Sequence, residues 1–284
     1  MRYLLLLSLA FLISCGSSQK QSEESNDSGS LEFETSSAET PATKPIDSSY
    51  AEKVPDVKRE TPKDAYGPLS EAYKSQNDEA IYRSSVQILS QNPTDAKALN
   101  AMGLYHYRKG RFLAARYFFS RAVAHSSRSS EIYNNQGLVS LALGENRDAI
   151  RFFKKAIELN PNDGIAAANL GSIYVQVKDY NKAVVALEVA VKKGMRETRT
   201  LTNYGIALTA TGKYDAAKVA LDEALRMNSN NKEALLASSV LLIDQMKQYS
   251  EGLDQLNRLK FLGPGQEMRN TMNTLENRAK AGIK

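Results

Sequence analysis

The sequence predicts an all-α solenoid of stacked helix–turn–helix units, and three observations carry that prediction. Gly103, Gly137, Gly171 and Gly205 recur every 34 residues. Two alanine columns, Ala115, Ala149, Ala183, Ala217 and Ala122, Ala156, Ala190, Ala224, keep the same interval. Between them runs an apolar column of Phe119, Phe153, Leu187 and Leu221. Small residues at fixed spacing suit helices that nearly touch, because Ala costs least in a helix and lets neighbouring axes approach.

The chain opens on a targeting segment, residues 1–14. Arg2 supplies a positive start, and residues 4–13 are apolar except for Ser8, a run too short to span a bilayer. It ends in Leu12-Ile13-Ser14-Cys15, which resembles the bacterial lipobox. That resemblance implies cleavage before Cys15 and covalent lipid on its thiol, with no other cofactor. Cys15 is the one cysteine of the chain, so no disulfide is available. Each buried acyl CH₂ is worth roughly 0.8 kcal/mol, so two or three chains make a stable anchor. Gly16 stands where an aspartate would signal retention at the inner membrane of enteric bacteria. The resemblance therefore implies an outer-membrane address on the periplasmic face.

After Cys15, residues 16–62 are rich in Ser, Glu, Thr and Pro, with a net charge of −5. Such a composition buries too little apolar surface to offset the entropy of ordering, so a disordered leash is expected, with a reach of roughly 40 Å. Residues 63–284 carry the opposite balance, a net charge of +9.

The repeat array is expected over residues 63–265. Residues 96–129, 130–163, 164–197 and 198–231 are regular units. Residues 66–95 form a degenerate first unit, marked by Asp78-Glu79-Ala80-Ile81 and Asn92-Pro93. In residues 232–264, Ser238 and Ser239 replace the pair that ends in Gly, and one extra residue near Met246 shifts the second helix. Gly263-Pro264-Gly265 breaks the chain. Over residues 266–284, Met268, Met272, Leu275 and Ala279 line one face of a last helix, suited to capping the stack.

This period and pattern resemble the tetratricopeptide repeat (TPR), a 34-residue helix–turn–helix unit. In the unit 130–163, Tyr133 opens, Gly137 lets the helices meet, and Gly144 lies in the turn. Ala149, Phe153 and Ala156 then face inward before Asn160-Pro161-Asn162 closes it. Ser127, Met195 and Ser229 stand where the family often has Pro, which leaves those turns less fixed. The resemblance implies about six units in a right-handed superhelix with the first helix of each lining a concave face.

By the same resemblance, partner-binding side chains come from the second, fifth, ninth, twelfth and thirteenth positions of each unit. Lys97, Asn100, Tyr107 and Arg108 fall there in one unit, and Glu131, Asn134 and Leu138 in the next. Ser172, Gln176, Arg199, Thr202 and Thr209 follow. Asn135, Asn169 and Asn203 recur beside them. An amide supplies both donors and acceptors, so these asparagines suit either the backbone of a bound peptide or contacts between helices. The Lys/Asn carboxylate clamp of chaperone-binding relatives is not reproduced.

No acidic residue lies between Asp95 and Glu131, whereas Lys97, Arg108, Lys109, Arg111, Arg116, Arg121 and Arg128 do, among six aromatics. The basic patch Arg108, Lys109, Arg111, Arg116 and Arg121 suits an acidic protein or anionic envelope polymer better than nucleic acid, or else a solvated helix face. His106 and His125 have no cysteine or His-Glu-x-x-His context, so no metal site is expected. With no phosphate loop and no nucleophile elbow, no enzyme is expected either. What the resemblance implies is a lipid-anchored scaffold for protein partners in the envelope. It is similar in layout to pilotin-type lipoproteins of type IV pili, which promote secretin assembly, and to gliding-motility TPR lipoproteins. An adaptor for peptidoglycan enzymes is the alternative.

Overall fold

The computed structural model describes residues 63–283; the targeting segment, Cys15 and the acidic leash lie outside them. A 3₁₀ turn, Lys63–Tyr66, leads into α1 (Gly67–Lys74) and α2 (Asp78–Gln91). Four regular pairs follow: α3 (Ala96–Arg108) with α4 (Phe112–His125), and α5 (Ser130–Ala142) with α6 (Asn146–Leu159). Then come α7 (Gly164–Gln176) with α8 (Tyr180–Lys192), and α9 (Thr198–Ala210) with α10 (Tyr214–Met227). The sixth pair is α11 (Lys232–Val240), extended by a π turn over Leu241–Gln245, with α12 (Tyr249–Phe261). Helix α13 (Gln266–Ile283) closes the stack, and no strand occurs among the described residues.

Start and stop signals account for the helix bounds. Asp95, Ser129, Asp163 and Asn231 each accept the backbone N–H three residues on, capping α3, α5, α7 and α11. Within pairs the chain reverses through a left-handed residue that recurs with the repeat: Gly110, Gly144, Lys178, Gly212 and Lys247. Glycine takes that conformation freely, whereas Lys178 and Lys247 meet a steric cost there of roughly 1 kcal/mol each. Between pairs, Asn92, Asn160 and Asn228 each fold a side-chain oxygen onto the N–H two residues on, at 3.1–3.2 Å. The turn after α10 is thus set by Asn228, although Ser229 stands where Pro is usual.

The columns of the sequence become the interior. Phe119, Phe153, Leu187 and Leu221 are buried, each from a second helix. Each sits over the glycine of its partner helix: a Cβ on Gly103, Gly137, Gly171 or Gly205 would overlap it. Leu170, Ile173, Leu208 and Leu241 continue the core from pair to pair. Leu69, Ile81, Ile88 and Met102 make a smaller cluster at the amino-terminal end. Met272, Leu275 and Ala279 of α13 are buried, with Met268 half-buried, so the last helix covers the open end.

The stack has an inner and an outer side. First helices of successive pairs pack on one another, α3 on α5, α5 on α7, α7 on α9 and α9 on α11, while the second helices make no comparable contact among the described residues. Closer approach on one side curves the stack, so the first helices line its concave face.

Candidate functional site

The concave face is a row of first-helix side chains stitched together by amides. Asn135 of α5 donates to the Asn100 carbonyl oxygen of α3 at 2.9 Å. The Asn100 amide in turn donates to Glu131 of α5 at 2.7 Å. One step along, Asn169 of α7 donates to Asn134 at 2.9 Å, and Asn203 of α9 donates to the Ser172 hydroxyl at 2.9 Å. The repeated asparagines thus join one first helix to the next. Asn100, Asn134 and Asn135 are buried in doing so. A neutral bond of this kind contributes about 1 kcal/mol net, and loss of one partner costs more because the other is left unsatisfied.

At the amino-terminal end of this face the groups are aromatic and charged. The Lys97 ammonium lies over the Tyr66 ring, 4.9 Å from its centre. Tyr73 of α1 is near both Glu131 and Arg108, and burial first, then Glu131, pushes its hydroxyl up to about 12. The ring of Tyr107 packs on Phe112 with centres 5.6 Å apart. Burial raises the Tyr107 pKa, with Arg199 of α9 opposing from across two intervening first helices. Both phenols are therefore hydrogen-bond donors at neutral pH.

The acid-free run of the sequence meets acids in space. Arg108 bonds Asp78 of α2 at 2.8 Å, and Lys109 lies 3.2 Å from Glu79. Arg116 bonds Glu145 at 2.8 Å, and Arg121 donates to the Pro93 carbonyl at 2.9 Å. Stacking brings residues roughly one repeat apart in sequence into register, so the neighbouring pairs supply the carboxylates. Arg111 makes no such bond among the described residues. These exposed pairs contribute little stability, about 0–1 kcal/mol each, but they lower the positive charge this surface presents. His106 packs flat on Phe118, ring centres 5.2 Å apart, and burial with Arg111 pushes its pKa down, so the ring serves packing as a neutral group.

Tyr73 stands 34 residues before Tyr107, so the repeat period itself marks it as the equivalent position of the first unit. A shallow hollow of about 530 Å³ also lies on the outer side along α6, where Arg147, Arg151, Lys154 and Lys155 surround Tyr133 and Phe152.

Family models described as tetratricopeptide repeat match residues 130–163, 152–185 and 198–231. Comparison with curated proteins finds no match. Among solved structures, pilF of Pseudomonas aeruginosa is 19% identical with a TM-score of 0.63, over 72% of this chain and 93% of that one. YrrB, described as a TPR protein with an unusual peptide-binding site, is 18% identical with a TM-score of 0.58, over 66% of this chain and 96% of that one. A tetratricopeptide repeat protein from Parabacteroides merdae is 14% identical with a TM-score of 0.55, over 78% of this chain and 90% of that one. At such identities the likeness is one of fold.

Proposed function

We propose that this chain, whose residues 130–185 and 198–231 match tetratricopeptide-repeat models, is a scaffold that holds an envelope protein partner at the outer membrane while lipid on Cys15 anchors it there. The observation that carries this is the pairing of a lipobox-like Leu12-Ile13-Ser14-Cys15 with a curved array whose first helices line one face. The array supplies the partner-binding surface, and the leash sets how far from the membrane the partner is held. The partner is a protein or an extended peptide segment of it, in a machine such as a pilus, motility or secretion assembly. The periplasmic face is the address the Gly16 position favours.

Two measurements test this. Cells fed an alkyne fatty acid should label the wild-type chain, and Cys15→Ser should abolish label and release the protein from the membrane fraction. Retention of Cys15→Ser at the membrane without label would sink the anchor. Photocrosslinking from the Gln176 position should then capture a secretin or motility component. Capture of peptidoglycan hydrolases alone would replace the machine with the adaptor for cell-wall enzymes.

A further inference from the structure

Resting on the membrane anchor proposed above, we propose that the edge formed by the last three inter-pair turns lies on an anionic lipid surface, with Phe261 inserted among the headgroups. The stretches that leave α2, α4, α6, α8, α10 and α12 share one edge of the stack, and charge divides that edge in two. Residues 88–97, 122–131 and 156–165 carry two cations against four acids, whereas 190–199, 224–233 and 258–267 carry eight cations against three acids. Those three acids, Glu197, Glu233 and Glu267, stand at the starts of α9, α11 and α13, where a helix favours an anion.

Phe261, at the end of α12, is 92% exposed, more than any other large apolar side chain described, and Met227, at the end of α10, is 57% exposed. Arg258 donates to the Ser229 carbonyl at 2.8 Å, and Lys232 donates to the Gly263 carbonyl at 3.1 Å. These bonds stitch the two turns together and set Met227 and Phe261 on neighbouring helix ends. Their acceptors are neutral, so both cations keep their charge. Lys193 likewise bonds the Asn162 side chain. Lys192 and Arg196 are neutralised, by Glu188 at 2.6 Å and Glu223 at 2.7 Å. Arg226 and Lys260 are exposed and stand next to Met227 and Phe261 in the chain. The acids near them, Glu223 and Glu276, bond Arg196 and Lys280 instead.

Cations in a last turn complement the helix dipole, which accounts for Arg226, Arg258 and Lys260 as charges. It does not account for Phe261: Leu256 and Leu259 fill the core, while this ring stands in solvent. A ring protruding between cations suits a bilayer surface, where the ring enters the headgroup layer and long basic side chains reach the phosphates. A second copy of the chain would set like charge against like at a two-fold contact. No described helix is long and apolar enough to cross a membrane, so the contact is peripheral.

The chain from residue 15 on, carrying Cys15→Ser, tests this free of both lipid and the apolar targeting segment. It should float with phosphatidylcholine vesicles that contain phosphatidylglycerol, stay behind with phosphatidylcholine alone, and detach as salt is raised. Arg226→Gln and Lys260→Gln should each weaken partitioning roughly fivefold, and Phe261→Ser by at least as much. Leu113→Ser removes an apolar side chain that is 65% exposed on α4 and should change nothing. All four positions are exposed, so melting curves should match the parent chain. The sequence has no tryptophan, so Phe261→Trp gives a single reporter whose emission should shift to the blue on phosphatidylglycerol vesicles. Equal flotation with both lipids, no flotation with either, or flotation indifferent to Phe261→Ser overturns the assignment. So does an indole emission that stays unchanged on bound vesicles. Concentration-dependent dimers that Phe261→Ser dissolves would give the surface to a second copy instead. With no lipid on the chain, the outcome is separate from the alkyne label: failure to bind vesicles leaves lipidation of Cys15 standing, and vesicle binding survives an unlabelled Cys15.

Discussion

The four central pairs and the sixth pair solve the same packing problem in opposite ways. In the central pairs the hole is a glycine on the first helix and the knob is Phe119, Phe153, Leu187 or Leu221 from the second. In the sixth pair Ser239 occupies the glycine position, buried, with its hydroxyl donating to the Leu235 carbonyl at 2.8 Å. The extra residue is taken up as a π turn, in which the Met246 N–H reaches the Leu241 carbonyl at 3.0 Å. That turn drives Ile243 onto Gly252 of the second helix, so knob and hole have changed sides. Leu256 and Leu259 then return to the core. What each pair requires is one close backbone approach, and either helix can provide it.

The first-helix contacts differ in the same way. Asn100, Asn134, Ser172 and their partners join α3 through α9 by hydrogen bonds. At the corresponding positions of α11 stand Leu236 and Ala237, both buried, and the link to α9 is apolar.

The largest expected effect comes from closing a central hole. Gly137→Leu forces a side chain into the Phe153 ring and should cost roughly 3 kcal/mol, read as a lower urea midpoint. Wild-type stability in that variant would break the comparison at its root. Gly252→Val does the same to the sixth pair, but its effect should stay local, because repeat arrays couple mainly through nearest neighbours. Hydrogen exchange should show protection lost over α11–α13 and kept over α3–α8. An equal loss along the whole stack would mean that the last pair is no more separable than the rest. The smallest change, Asn135→Ala, gives the α3–α5 contact an alanine like that of α11. It leaves the Asn100 oxygen without its donor and should cost about 1–2 kcal/mol in the same urea titration. A neutral result would show that the amide links add nothing over apolar contact.

The fold was legible because a repeat imprints its period on every packed position. Four columns in register marked the glycine holes and their knobs, and the spacing of Met268, Met272, Leu275 and Ala279 marked the inward face of the last helix. The extra residue near Met246 was visible too, but not the π turn that absorbs it, since the choice depends on Gly252 lying opposite. The basic run was harder to read. Arg108, Lys109 and Arg116 look unopposed along the chain, and their carboxylates are found only by looking roughly one repeat away, at Asp78, Glu79 and Glu145. The asparagines admitted two roles, and geometry engages each in a contact between helices. Tyr73 was within reach, one period before Tyr107, but which elements face one another across the stack was not, because curvature is a property of the whole stack that no single unit contains.

That curvature has a mechanical side. Each pair bears on the next, so the distance from α3 to α9 is set by three interfaces in series, and a slight tilt at each one adds to the others. Such an arrangement behaves as a bow, stiff at any one joint and compliant from end to end. A partner lying across several first helices would act as its string, bracing the frame along its inner side.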